Sequence, residues 1–361
     1  MISFLQSIAL LAAVWVAQAA HAGMGLVELP ADATSGPVTV FYPSEGTERR
    51  TVRSAFQFDA APDGAPAAGN RRLVVISHGS PSSPWVHVDL ARALVAAGFT
   101  VAMPEHQGDN ARSHGDSGPT SWKRRPSEVS RAIDRMAQEP RWASTLDFHT
   151  VGMFGMSAGG HTALTLAGGR WSPSRLLAHC RDNIGQDFHA CAGPSFSLDG
   201  GPLDAVKKTL VRAVLAIKLA DSSWYGHVDP RITAIVAGVP FAADFDPESF
   251  RSPRAKLALI SARADRWLVP QFHSDMVLAR CVESCEHLLD SPTGGHGALL
   301  SPLPPELTGA VGSLVRDPPE FRRAEEVAKL NAAVTGFFQR RLAPRQPESS
   351  DRVSGSRSPA K

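Results

Sequence analysis

The stretch Val151-Gly152-Met153-Phe154-Gly155-Met156-Ser157-Ala158-Gly159-Gly160-His161-Thr162-Ala163-Leu164 runs from an apolar segment, past a serine flanked by small residues, into a second segment of small and apolar residues. Thr150 to Phe154 predicts a strand, and the segment from Ala158 predicts a helix, so Ser157 falls on the turn between them. A sharp strand-to-helix turn forces its central residue into an unfavourable backbone conformation and leaves no space two positions to either side. Gly155 and Gly159 meet that need, and Gly160 lets the helix pack close to the sheet. The pattern Gly-x-Ser-x-Gly is too short to decide anything alone. Its context must do so.

Working outward, the chain repeats one grammar: a short apolar run, a loop, then a helical stretch. Arg72 to Ser77 (RLVVIS), bounded by His78-Gly79, predicts a strand buried on both faces. Val86 to Ala97 predicts an amphipathic helix stopped by Gly98. Phe99 to Pro104, Ile232 to Ala237, Lys256 to Ser261 and Glu286 to Asp290 predict further strands. Ser127 to Met136 and Ala324 to Arg340 predict helices. Pro37 to Pro43 and Arg50 to Arg53 predict early antiparallel strands, with Ala60 to Pro66 as a turn region. Alternating strands and helices imply an α/β fold with a mainly parallel sheet covered on both faces. A long insertion, about residues 171–230, separates the helix after Ser157 from the strand at Ile232. Its strongest helical segment is Leu203 to Ala220, which suggests a cap-like element.

A serine hydroxyl needs a base to act as a nucleophile at neutral pH. His296, in Thr293-Gly294-Gly295-His296-Gly297, lies in a glycine-rich loop after the last strand, where little could hold it as a core residue. A third residue must orient that imidazole. Asp265, just beyond the C-terminal end of a strand, is the leading candidate, with Asp244 and Asp246 as competitors after the preceding strand. The order Ser…Asp…His agrees with a nucleophile elbow. Oxyanion donors are expected from the N–H groups of Ala158 and Ser80, and His78 is expected to brace the Ser80 loop.

The 361 residues are 43% hydrophobic and 20% charged, which suits a globular protein with a large core. A net charge of +2, with no stripe of aromatics among cations, argues against nucleic acid as a partner. No His/Cys cluster with zinc spacing occurs, and no metal or organic cofactor is implied. Residues 1–22 carry an apolar run from Ile8 to Ala17 followed by Ala-x-Ala sites, the pattern of a cleaved export signal leaving no stable membrane span. Four cysteines then favour local disulfides, Cys180–Cys191 and Cys281–Cys285. The chain so divides into a signal over 1–22, a hydrolase domain over 23–343 and a disordered tail over 344–361, with a periplasmic or secreted location; oligomeric state is not set by these features.

The blocks VVISHGSPSSP, FTVAMPEHQGDN, VGMFGMSAGGHTALTLAG and DPRITAIVAGVP resemble those of dienelactone hydrolase-like proteins and of the bacterial relatives of platelet-activating factor acetylhydrolase. The resemblance implies the α/β-hydrolase fold, Ser157 as nucleophile, Asp265 as acid, His296 as base, and the Ser80 and Ala158 amides as oxyanion donors. Dienelactone hydrolases proper use cysteine where this chain has Ser157, and many relatives carry Asp-His where it has Glu105-His106. The expectation is an exported serine esterase acting on a small-molecule ester, with Trp85, Trp224, Phe241 and Trp267 as candidate pocket residues. The alternatives are a lactonase or phospholipid deacetylase, or a catalytically silent binding protein on the same fold.

Overall fold

The computed structural model describes residues 22–303 and 308–343. The expected signal, but for its last residue, and the expected tail lie outside these residues.

Ten strands form one sheet in the order β10-β9-β8-β7-β5-β6-β2-β1-β4-β3. They are β1 (Gly23–Leu29), β2 (Val38–Ser44), β3 (Arg49–Arg53), β4 (Phe56–Pro62), β5 (Arg72–Ser77), β6 (Thr100–Pro104), β7 (Asp147–Met156), β8 (Ile232–Gly238), β9 (Lys256–Ala262) and β10 (Cys285–Ser291). From β6 to β10 every neighbouring pair is parallel, whereas β2 meets both β6 and β1 in antiparallel register. The chain passes from β5 out to β6 and then back across β5 to β7. That reversal opens a crevice at the C-terminal strand ends, where sites on such sheets gather.

The alternation within β5 shows why both faces must be covered. Leu73 and Val75 enter one core, and Val74 and Ile76 enter the other. Helices α2 (Pro119–Gln138) and α3 (Ala158–Leu166) cover the first face, through Trp122, Val129, Ile133, Met136 and Leu164. Helices α1 (Val88–Ala96) and α9 (Arg323–Arg341) cover the second, through Leu90, Leu94, Leu330, Val334, Phe337 and Phe338. Each such side chain contributes about 1.5–3 kcal/mol when fully removed from water.

Three expectations need correction. The early strands at Val38 and Arg49 do not pair with each other: β2 lies between β1 and β6, and β3 pairs with β4. The expected turn at Ala60 to Pro66 is strand through Pro62. Helix α2 starts at Pro119, not Ser127, and runs through Pro126. An interior proline costs about 3 kcal/mol, but the upstream turns bury Ser121, Trp122 and Arg125, and that packing outweighs the break.

The insertion holds α4 (Pro173–Asn183), α5 (Phe188–Ala192) and α6 (Asp204–Lys218). Its base is tied by paired backbone hydrogen bonds between Trp171 and Tyr225, at 3.0 and 2.8 Å. The Cys180–Cys191 disulfide joins α4 to α5. The Cys281–Cys285 disulfide lies between α7 (Ser274–Leu278) and β10. Helix α8 (Gly309–Val315) precedes α9. No helix among the described residues is long and apolar enough to cross a membrane.

Candidate active site

Ser157 follows the last residue of β7 and precedes α3, with φ 58° and ψ −117°. This left-handed region is costly for a residue with a side chain, and it holds only because the surroundings dictate it. A Cβ on Gly155 would lie 2.0 Å from the Gly159 carbonyl oxygen, and one on Gly159 would lie 2.0 Å from the Ser77 carbonyl oxygen. The packing of β5, β7 and α3 thus leaves no alternative to glycine at either position.

His296 and Asp265 come from loops after β10 and β9, and both reach Ser157. Ser157 Oγ–H donates to His296 Nε2 at 3.0 Å, and His296 Nδ1–H donates to Asp265 Oδ2 at 2.8 Å. The other Asp265 oxygen accepts the N–H groups of Trp267 and Leu268 at 2.8 and 3.0 Å, which fixes the carboxylate. Asp265 and His296 are buried, while Ser157 is partly open. The competing acids are engaged elsewhere. Asp244 accepts from His161 Nε2 at 3.1 Å, and Asp246 caps a short 3-10 helix through the Glu248 N–H.

The loop His78-Gly79-Ser80 runs beside the serine: a Cβ on Gly79 would be 3.5 Å from Ser157 Cβ. Ala158 opens α3, so its N–H has no intrahelical acceptor. Behind the loop lies a buried polar network that the sequence did not reveal. Arg125, fully buried on α2, donates through Nη1 to the His78 carbonyl at 2.5 Å and through Nη2 to the Gly79 carbonyl at 3.2 Å. The same guanidinium pairs with Asp109 at 2.8 Å, and Asp109 in turn accepts from the Ser80 hydroxyl. Burial alone would push the Asp109 carboxyl up. Arg125 and the hydroxyls of Ser121, Ser80 and Ser117 outweigh it and hold the group well below the usual carboxylate range.

His78 braces this loop as expected from its position, and His106 supports it. His106 N–H donates to His78 Nε2 at 3.2 Å, its Nδ1–H to Glu128 at 2.5 Å, and Ser77 Oγ–H donates to its Nε2 at 2.7 Å. Ser77, His106 and Glu128 therefore repeat the connectivity of Ser157, His296 and Asp265. All three are closed off from solvent, so no substrate can reach Ser77. Burial drives both imidazoles well below their ordinary value, and it raises Glu128.

Of the four aromatic residues expected near the site, two adjoin these residues. The Phe241 N–H donates to the Ser157 carbonyl at 3.2 Å, and Trp267 follows Asp265 and stacks on His189 of the insertion at 4.2 Å. Trp85 is instead buried in the opposite core, stacked 5.8 Å from Phe58. Trp224 lies on the surface beneath Arg170 and Arg175. A second missed element is Asp187, which anchors the insertion. It accepts from His179 at 2.9 Å, from His273 at 3.0 Å and from the Val269 N–H at 3.3 Å. His273 also accepts the Ala242 N–H at 2.9 Å, so one carboxylate links the insertion to the segments bearing Asp265 and Phe241. Among the described residues, no group of three His, Cys, Asp or Glu is placed to hold a metal ion.

No family model matches this chain, and no curated protein matches it in sequence. Among solved structures it is similar to a ferulic acid esterase from Streptomyces cinnamoneus, with a TM-score of 0.54 and 18% identity over 94% of this chain and 95% of that one. The likeness is one of fold. It agrees with the mixed α/β architecture, a ten-stranded and mostly parallel sheet flanked by helices, described above.

Proposed function

We propose that this protein is an exported serine hydrolase that cleaves carboxylic esters through an acyl-enzyme on Ser157. The observation that carries this reading is the continuous relay from Ser157 Oγ through His296 to Asp265, built on a strained turn that presents the serine. The ferulic acid esterase neighbour and the two disulfides agree with it.

In the proposed reaction, Ser157 Oγ attacks the acyl carbon as its proton passes to His296 Nε2. Asp265 stabilises the imidazolium that forms. The negative charge on the former carbonyl oxygen is met by the Ala158 and Ser80 N–H groups. His296 then gives its proton to the leaving alkoxide, which departs as alcohol. Water, deprotonated by His296, attacks the acyl-enzyme, releasing the acid and restoring Ser157.

The finer resemblance to dienelactone hydrolase-like proteins and to relatives of platelet-activating factor acetylhydrolase belongs to this proposal, as does a periplasmic or secreted location. A fluorophosphonate probe tests the core claim. Wild type should be labelled stoichiometrically and Ser157→Ala not at all; equal labelling of the two would overturn the assignment. A panel of esters of graded acyl length, with lactones alongside, then sorts the substrate class.

A further inference from the structure

Arg125 is the only buried arginine among the described residues. Taking a guanidinium out of water is costly, and only well-placed partners repay it. Most of those partners belong to one loop and its brace. Nη1 donates to the His78 carbonyl at 2.5 Å and Nη2 to the Gly79 carbonyl at 3.2 Å. Nη2 and Nε also donate to Asp109 Oδ2, at 2.8 and 3.1 Å. Asp109 Oδ1 accepts from the Ser80 hydroxyl, so the pair grips three successive residues, His78, Gly79 and Ser80.

The direction of that grip matters. The Gly79–Ser80 peptide bond is trans, and in a planar trans peptide the C=O and the N–H point opposite ways. The Gly79 carbonyl is held by Arg125 and also by His78 Nδ1–H at 2.7 Å, a tautomer set by the His106 N–H on His78 Nε2. With the carbonyl held from the protein interior, the Ser80 N–H faces the other way, and it has no acceptor among the described residues. Ser80 is partly open, whereas Arg125 and Asp109 are closed off from solvent. The loop also passes close to the serine: a Cβ on Gly79 would lie 4.0 Å from Ser157 Oγ. We propose that Arg125, together with Asp109, is a positioning residue that aims the Ser80 N–H at the oxyanion formed above Ser157. This rests on the reading of Ser157 as nucleophile. A donor fixed in advance needs no reorganisation when the charge develops, and here an ion pair that never meets substrate does the fixing.

The test compares the rate and extent of fluorophosphonate labelling, with hydrolysis of p-nitrophenyl acetate alongside, in wild type and in Arg125→Lys. Lysine keeps a cation beside Asp109 but lacks the planar fork that spans two carbonyls. It should lower kcat by about 10–100-fold while changing KM by less than about threefold. Labelling should still go to completion, only more slowly. A purely structural role would instead shrink the labelled fraction and leave the rate per labelled site unchanged, and that result would overturn the proposal. The midpoint of the pH dependence of labelling should not move, because His296 and Asp265 are untouched; a displaced midpoint would place the effect on the relay and overturn it too. Should the lysine variant not fold, Arg125→Met/Asp109→Asn removes both charges at similar volume and should show the same slow labelling. Wild-type rates in either folded variant would overturn the proposal while Ser157 kept its role. A wild type that, like Ser157→Ala, escapes labelling altogether would overturn the reading of Ser157 and this proposal with it.

Discussion

Ser157 holds a backbone conformation that its own side chain opposes, and the three residues around it that could relieve the strain are glycines fixed by packing. Replacing the serine by glycine should therefore relax the turn, while alanine should keep the strain. Ser157→Gly is expected to be more stable than Ser157→Ala by about 1–2 kcal/mol, measured by chemical denaturation. At the acid, Asp265→Asn should fold normally yet lower kcat by about 10⁴, because an amide cannot hold the imidazole tautomer that accepts the serine proton. A fold change below tenfold in steady-state ester hydrolysis would remove Asp265 from the relay. These residues were legible in the sequence because the steric demand of an elbow restricts residue type at fixed spacing. Val239, at φ 35° just after β8, was not, because no local pattern announces a positive φ at a valine.

Among the elements, α2 shows how a polar residue can sit on an apolar face. Arg125 precedes Val129 by four positions and Ala132 by seven, so the periodicity that predicted a helix from Ser127 extends back to it. That coincidence was the available signal, and a helix begun at Ser127 leaves Arg125 outside it. The guanidinium holds two carbonyls of the loop beside Ser157 and neutralises Asp109. Arg125→Met should cost about 3–5 kcal/mol in denaturant unfolding, since it strands a buried carboxylate. Asp109→Asn combined with Arg125→Met should recover part of that loss, a coupling that a double-mutant cycle measures. Helices α1, α3, α6, α9 and the later part of α2 were legible in the sequence, whereas α4, α5, α7, α8 and the partners of β1 to β4 were not. Strand pairing depends on chain segments far apart, and neither the wholly buried β2 nor the mostly exposed β3 names its partner.

Across the molecule, burial of histidines sets the response to acid. His87 lies against Phe154, with neither ring nitrogen hydrogen-bonded, and burial lowers its pKa from 6.5 to about 4. Between those values the unfolded chain holds a proton that the folded chain does not. Stability therefore rises with pH through this window and falls on acidification, by on the order of 3 kcal/mol for His87 alone. His78 and His106 act in the same direction. Asp187, held at about 2 by His179 and His273 against the effect of burial, adds a further loss of stability as pH falls from 3.8 towards that value. Melting temperatures should drop between pH 7 and pH 4, and His87→Leu should flatten that slope; an unchanged slope would show that the buried ring does not control it. The overall α/β layering was readable because it follows from alternation along the chain. The anchoring of the insertion was not, because Asp187, His179 and His273 come from three separate segments.

Ser157 and His296 lie 139 residues apart, and their contact closes across the sheet. During synthesis the serine emerges well before the imidazole, so a growing or truncated chain that ends before the loop at Thr293 has no relay. For the exported hydrolase proposed above, making the protein and arming it are separate events. The cell that builds it would meet an inert polypeptide until the last strand and the loop beyond it have joined the fold.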